Sequence, residues 1–281
     1  MFNAIRMEIY RMFQSKSFYI ALISLIFTIF FSTNMSAQEW NHTTLEERQA
    51  LHELFLNHAE TDQIAIAVSI PTEPDSHVTV YDLFFANVKS KLIALVFACF
   101  TVIYSTADIT SGYIKNIAGQ LKNRRFLIYA KALSLLIYCT GSMVLLVGIH
   151  AICNQLFFGY IEWGPWNAFL PYIGIQILLH YAFILFIMML ATVLKNNILT
   201  TALSIGFCIN IQIIFYGFID KLVNKIGMTT YHTREYTVLG NISRIGMQIT
   251  QKTAIQAILV TLVFLIFSVW IASTVFNKRD I

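Results

Sequence analysis

The chain has 281 residues, of which 57% are hydrophobic and only 12% are charged, and its formal net charge is +4. An ordinary soluble domain carries about 25% charged residues, so a soluble protein of this composition could not cover its surface with polar groups. The composition therefore excludes an ordinary soluble domain and predicts an all-α integral membrane protein whose apolar side chains face lipid.

Residues 2–17 predict an amphipathic helix ahead of the first long apolar run. Glu8 and Arg11 fall outside its apolar face, and the chain enters the apolar run directly afterwards. Such a helix is typical of segments that lie along a membrane surface, here the cytoplasmic one. The apolar positions, which recur at helical spacing, are Phe2, Ile5, Ile9, Met12 and Phe13.

Six apolar runs approach the length of about 20 residues that a helix needs to cross the hydrocarbon core. The first run follows basic residues, as a signal peptide does, but its apolar core is longer and no convincing cleavage site follows, so we expect it to be retained. No predicted span has a proline in its middle, and no acid or base lies deep in one, which argues against an ion-coupled transporter. The predicted spans are about 17–35, 90–109, 127–150, 169–193, 198–219 and 253–276.

The basic residues predict that both termini lie in the cytoplasm. With that orientation, the inner segments hold eleven bases and three acids, and the outer segments hold eight bases and twelve acids. Short loops rich in Lys and Arg remain on the cytoplasmic side, so the count favours six spans with the N-terminus and the C-terminus inside. We expect residues 1–281 to form a single transmembrane domain, and the basic balance, which this orientation explains, requires no nucleic-acid partner.

Two outer segments, 36–89 and 220–252, interrupt the apolar runs. The first contains TTLEERQALHELFLNHAE, which predicts one helix with a capping pair, either Thr43 with Glu46 or Thr44 with Glu47, followed by an extended stretch that ends in a turn. The second is amphipathic, so we expect short helices that either dip into the outer leaflet or pack on the outer ends of the spans. The histidines of the first segment, whose spacing favours solvated side chains over a metal site, are His42, His52 and His58.

Polar side chains inside the predicted spans allow two interpretations. They could form interhelical hydrogen bonds worth about 1 kcal/mol each, or they could line a transport path. The sequence has no phosphate-binding GxxxxGK[ST] loop and no GxSxG motif, so we predict no catalytic, cofactor-binding or metal-binding residue and no enzyme activity. The candidate path residues are Gln176, His180, Asn210 and Gln212.

The first inner loop, DITSGYIKNIAGQLKNRR, is more ordered in its pattern than a simple connector. Gly112 frees the backbone at the end of a span, and the following apolar residues recur at helical spacing with the bases off that face. This pattern predicts a short amphipathic helix, which is useful in a loop only if it contacts a partner. The residues concerned are Asp108, Gly112, Ile114, Lys115, Ile117, Leu121, Arg124 and Arg125.

The loop carries an acid, a glycine four residues later, then Ile-Lys-Asn-Ile, and a basic pair with Lys131 six residues on. This pattern resembles the first cytoplasmic loop of ABC-2 type permeases, the six-span membrane subunits of type-two ABC exporters. The opening MEIYRMFQSKSFYI resembles the amphipathic start of that family. The long segment after the first span resembles its branch that exports, or confers immunity to, bacteriocins, lantibiotics and other amphipathic peptides. The family's Pro-Val-Ser-Arg run is absent from the loop.

The resemblance implies a permease that pairs with a second permease copy, identical or not, and with separate cytoplasmic ATP-binding cassette subunits, which bind the ATP. The loop residues above would form the coupling helix that rests on the ATPase, and 220–252 would match the family's outer re-entrant pair. The cargo would be an amphipathic peptide or a hydrophobic antimicrobial compound. The alternative is a membrane sensor or scaffold that does not transport and binds a ligand through residues 36–89.

Overall fold

The computed structural model describes residues 2–57, 66, 68–110, 124–226 and 231–278. Within these ranges, the regular elements are all helical, and a short 3-10 helix at Thr233–Tyr236 accompanies the α-helices. The α-helices are α1 (Phe2–Gln14), α2 (Lys16–His42), α3 (Leu45–Asn57), α4 (Val80–Lys89), α5 (Leu92–Thr110), α6 (Arg125–Phe158), α7 (Trp166–Leu194), α8 (Asn197–Cys208), α9 (Gln212–Lys225), α10 (Val238–Arg244) and α11 (Gln251–Asn277).

Four helices, α2, α6, α7 and α11, are each long and apolar enough to cross a membrane. Two pairs pass the same test only when taken together: α4 with α5, bent by 57°, and α8 with α9, bent by 67°. The described part of the chain therefore has four candidate membrane-spanning helices, or up to six if each bent pair is one span. The predicted spans 17–35, 127–150, 169–193 and 253–276 each lie within one of the four long helices.

The two remaining predicted spans are broken helices, which the sequence analysis did not expect. Residues 80–89, assigned to an outer segment, form the buried helix α4, and the predicted span 90–109 begins at the bend that follows it. The span 198–219 is interrupted between α8 and α9. Neither break contains a proline. The backbone turns instead at Lys91 and Asn210, whose φ angles of 64° and 70° lie in the left-handed region and end a helix as glycine usually does.

The starts of α3 and α4 show why these helices begin where they do. At α3, the Glu47 carboxylate accepts from the Thr44 backbone N–H at 2.9 Å, so the second of the two predicted capping pairs is correct. Hydrogen bonds from the backbone and the side chain of Thr44 lower the pKa of Glu47. At α4, Thr79 and Asp82 form a reciprocal capping box, in which Asp82 accepts from the Thr79 N–H at 2.8 Å.

Helix α7 is the centre of the bundle, because it packs against α5, α6, α8, α10 and α11. Its interior face carries fully buried large side chains such as Tyr172 and Phe183. The outward faces of α2 and α11 carry exposed apolar side chains instead, with Phe27 67% and Trp270 64% exposed. A bundle with a packed interior and an apolar outside is typical of a protein surrounded by lipid.

Long-range hydrogen bonds define two ends of the bundle. At one, which we call the α10 end, the Val78 N–H donates to the Tyr160 hydroxyl at 3.0 Å and the Tyr81 hydroxyl donates to the Met247 carbonyl at 2.6 Å. Helix α10 packs there against α4, α7 and α11, as expected for short helices packed on the ends of the spans. At the other, the α1 end, the Lys131 ammonium donates to the Ser105 carbonyl at 3.1 Å.

Candidate functional site

Helix α1 packs on the bundle through a face that contains an acid. Ala4, Glu8 and Met12 are buried, with Glu8 and Met12 at 0% exposure, whereas Phe13 is 41% exposed. The predicted apolar face is therefore right at Met12 and wrong at Phe13, and Glu8 belongs to the buried face rather than outside it. The sequence pattern of α1 alone could not predict the burial of Glu8, because the groups that compensate its charge come partly from elsewhere in the chain.

The Glu8 carboxylate is held by two donors. Its Oε2 atom accepts from the Arg11 guanidinium at 2.7 Å and from the Tyr104 hydroxyl of α5 at 2.9 Å. Its Oε1 atom is buried and has no hydrogen-bond partner among the described residues. The Tyr104 ring lies 5.7 Å from the Arg11 guanidinium and 5.9 Å from the Lys131 ammonium. A buried carboxylate is tolerable here because cations and hydrogen-bond donors surround it.

This arrangement ties α1 to both helices that flank residues 111–123. Tyr104 lies near the end of α5, and Lys131, only 3% exposed, lies in the second turn of α6 and bonds back to the Ser105 carbonyl of α5. Helix α1 also packs along α6. A displacement of the α5–α6 connection would therefore be transmitted to α1 through directly contacting groups. We call Glu8, Arg11, Tyr104 and Lys131 the Glu8 cluster.

The predicted coupling residues lie beside this cluster where the structure describes them. Asp108 belongs to the last turn of α5, Arg124 immediately precedes α6, and Arg125 is the first residue of α6 and is exposed. The predicted short amphipathic helix lies outside the described residues, as do Gly112, Ile114, Lys115, Ile117 and Leu121.

Two of the predicted path residues, Gln176 and His180, point into the interior of the bundle from consecutive turns of α7. Both are at 0% exposure. The Gln176 amide donates to the Ile242 carbonyl of α10 at 3.3 Å, and His180 Nδ1 contacts the Gln176 carbonyl at 2.8 Å. Since a carbonyl only accepts, Nδ1 carries the proton of the neutral ring, and Nε2 has no partner among the described residues. Gln176 therefore joins α7 to α10, whereas the His180 bond lies within α7.

The other two path residues, Asn210 and Gln212, form a separate site at the break between α8 and α9. The Lys91 ammonium, at 0% exposure, donates to the Asn210 side-chain carbonyl, and the Gln212 amide lies 3.5 Å from the same oxygen. Lys91 is the second residue of the predicted span 90–109, at the edge of the apolar run, whereas the structure buries it between α4 and α5.

A third buried polar contact joins α2, α4 and α6, and the sequence analysis missed it. The side-chain carbonyl of Asn87 accepts from the Ser32 hydroxyl at 2.8 Å, and the side-chain amide nitrogen of Asn87 lies 3.1 Å from His150 Nε2. His150 Nδ1 bonds to the Leu146 carbonyl at 2.7 Å, so Nε2 is the unprotonated nitrogen and accepts from Asn87. The sequence held one signal for Asn87: it lies four residues before Lys91, so the two polar residues recur at helical spacing.

The chemistry of these sites is hydrogen bonding and charge compensation. Among the residues that the structure describes, no group of three or more His, Cys, Asp or Glu side chains could hold a metal ion. His42 and His52 lie in or beside the first long connection, and His58 is outside the described residues. The arrangement can therefore link helices, transmit a displacement between them, and offer buried polar groups to a molecule that enters the bundle.

Comparison with known proteins gives one family match. No curated protein matches the chain. The family model described as "Protein of unknown function (DUF2705)" matches residues 50–281, which begin within α3 and include every helix from α4 to α11. Because this match covers more than half of the chain, the protein belongs to the DUF2705 family.

Proposed function

We propose that this protein is the membrane-spanning permease subunit of an ABC exporter in a bacterial plasma membrane. It moves an amphipathic peptide or a hydrophobic antimicrobial compound, with ATP hydrolysed by a separate cytoplasmic subunit, and it works as a pair with a second permease copy. The observation that carries the proposal is the Glu8 cluster. Its hydrogen bonds join α5 to α1, from Tyr104 to Glu8, and α6 to α5, from Lys131 to the Ser105 carbonyl. The resemblance of the opening segment and the first loop to ABC-2 permeases supplies the reaction class.

The contacts at the two ends of the bundle support a six-span arrangement. Val78 and Tyr160 meet at the α10 end, whereas Ser105 and Lys131 meet at the α1 end. The bent pair α4–α5 therefore runs from one end to the other, as a single span would. The same holds for α8–α9, because α8 follows α7 and the Asp220 side chain accepts from the Thr233 N–H beside α10. In the proposed orientation, the α1 end faces the cytoplasm.

A coupling helix needs a rigid base, because a slack connection would absorb the motion of the ATPase. The residues that flank 111–123 meet this requirement. Tyr104 and Lys131 are both buried; Tyr104 bonds to the Glu8 carboxylate of α1, and the Lys131 ammonium lies 5.9 Å from the Tyr104 ring. A push on the loop would then move α1, α5 and α6 as one unit rather than bend the loop alone.

The buried polar groups support a path for a partly polar cargo. Gln176 Oε1 and His180 Nε2 have no hydrogen-bond partner among the described residues, and both are buried at the centre of the bundle. A buried polar atom without a partner is costly, and a bound water or a peptide group would satisfy it. Access to these groups requires the helices around α7 to separate, which is the motion that ATP binding would drive.

The test is co-expression of the full chain with the ATP-binding cassette subunit encoded nearest to it in its genome. We expect the two proteins to purify together and to hydrolyse ATP in lipid. The variant Ile114→Asp with Ile117→Asp should insert normally but lose the ATPase or its stimulated hydrolysis. Its matched control is Leu45→Asp with Leu51→Asp, two exposed apolar positions on α3, which should change neither property.

Two outcomes would contradict the proposal. If the purified chain retains no ATPase, and no cassette subunit is encoded near it, the protein is not an ABC permease. Binding of a ligand to residues 36–79 without hydrolysis would then favour the sensor or scaffold. If the Ile114 and Ile117 variant keeps both partner and stimulated rate, the first loop is a plain connector and the coupling assignment is wrong.

A further inference from the structure

We infer that the two helix breaks form one coupled joint, closed by the hydrogen bond between Lys91 and Asn210, so that opening of one bend favours opening of the other. The inference concerns how the bundle moves, and it does not depend on whether an ATPase drives it. It rests on three features of the same place: the backbone at both breaks, the burial of the side chains, and the helix ends around the ammonium.

The backbone places the two residues equivalently. Lys91 lies two residues after the end of α4 and Asn210 lies two residues after the end of α8, and both have φ in the left-handed region. A left-handed conformation is unfavourable for lysine, which has no short side chain to bond its own backbone. Lys91 nevertheless adopts this conformation, and its side-chain bond to the other break is one contact that restrains it there.

The surroundings of the ammonium explain why a buried lysine is tolerated. Lys91 follows the C-terminal end of α4, and Asn210 follows the C-terminal end of α8. The partial negative charge of a helix C-terminus favours a nearby cation. The Asn210 carbonyl completes this environment, and the Gln212 amide approaches the same oxygen at 3.5 Å. The breaks therefore create the polar setting that continuous helices would lack.

Coupling follows from what either break would lose on straightening. If α4 and α5 became continuous, Lys91 would leave its left-handed conformation and its ammonium would be carried away from Asn210. The Lys91 ammonium would then lose this acceptor in a site with 0% exposure. The same bond is lost when α8 and α9 straighten first. Once it is lost, it no longer restrains the second break, so opening of one favours opening of the other.

The experiment is hydrogen–deuterium exchange of the full chain in lipid nanodiscs, followed at peptides that cover residues 86–95 and 206–214. In Lys91→Met, exchange at 206–214 should rise about tenfold, the effect of losing a charged hydrogen bond. In Asn210→Ala, exchange at 86–95 should rise similarly. The double variant should rise no further than either single variant, because both remove the same bond.

Two further variants serve as controls. Lys89→Met, two residues earlier in the last turn of α4, should leave exchange at 206–214 unchanged. Asn210→Asp keeps an acceptor for Lys91 and should preserve protection at both breaks, so it tests the inference even if Lys91→Met does not fold. If Asn210→Ala speeds exchange only at 206–214, or Lys91→Met only at 86–95, the breaks move independently and the inference is wrong.

Discussion

The Tyr104 hydroxyl donates to the Glu8 carboxylate at 2.9 Å and so joins the first helix of the chain to the end of α5, 96 residues later. Both side chains are buried, with Tyr104 at 3% and Glu8 at 0% exposure. An amphipathic helix that only floated on a membrane surface would turn its acid towards water. Helix α1 instead turns its acid inwards, and this makes it an integral part of the bundle.

Removal of this hydroxyl should loosen α1. We expect Tyr104→Phe to lower the free energy of unfolding by about 1 kcal/mol, because it deletes one buried hydrogen bond and leaves the ring packing unchanged. The measurement is the thermal unfolding midpoint of the purified protein in detergent. Tyr10→Phe is the matched control, since Tyr10 is 67% exposed on α1 and should leave the midpoint unchanged. Equal midpoints for Tyr104→Phe and the parent would mean that the Glu8 contact contributes nothing to stability.

The capping box of α4 should contribute to the stability of the α10 end. The Asp82 carboxylate accepts from the Thr79 hydroxyl and the Thr72 hydroxyl, each at 2.9 Å, and so it also holds the preceding loop. We expect Asp82→Ala to cost about 2 kcal/mol, because it leaves buried donors without an acceptor, and Thr79→Ala to cost about 1 kcal/mol. Ser76→Ala, at an exposed turn, is the control for thermal unfolding. If Ser76→Ala lowered the stability more than Asp82→Ala, the stability would come from the loop that contains Ser76 rather than from the capping box.

The orientation can be tested by labelling single cysteines in intact cells after the four natural cysteines are replaced. Ser76→Cys at the α10 end should react with an impermeant maleimide from outside. Gln14→Cys, Asn196→Cys and Asn277→Cys, at exposed positions of the α1 end, should react only after the cells are opened. Labelling of Asn277→Cys from outside would invert the proposed orientation, and labelling of Asn196→Cys alone would contradict the six-span arrangement.

The proposed cargo predicts a phenotype. Deletion of the gene should raise sensitivity to an amphipathic peptide antibiotic or trap an endogenous peptide in the cell, because the compound would no longer be cleared. The measurement is the minimal inhibitory concentration across a panel of such peptides, with a hydrophilic antibiotic of unrelated entry as the control. Complementation with the intact gene should restore resistance, whereas complementation with the Ile114→Asp and Ile117→Asp variant should not. Unchanged sensitivity across the panel, together with unchanged peptide release, would count against this cargo.

Local pattern was enough to find most helices of this protein. Apolar runs of membrane length predicted α2, α6, α7 and α11, because the requirement to bury backbone polar groups in lipid leaves helices as the main solution. Helices α2 and α6, however, continue to His42 and Phe158, beyond the predicted ends at 35 and 150. The start of α3 was narrowed to two alternative capping pairs, of which Thr44 and Glu47 form, since such an interaction joins residues only three apart. Helical spacing likewise placed α1, although it misassigned which face would be buried.

The sequence by itself determined that the chain is helical and apolar enough for a membrane, and that its bases concentrate in particular loops. Only the tertiary structure decided where the charged residues of the interior lie. Glu8 is buried because Tyr104 of another helix reaches it, and Lys91 is buried because Asn210, 119 residues later, accepts its hydrogen bond. A buried charge is stable only beside its partners, and partners so distant in sequence leave no periodic signal near either residue.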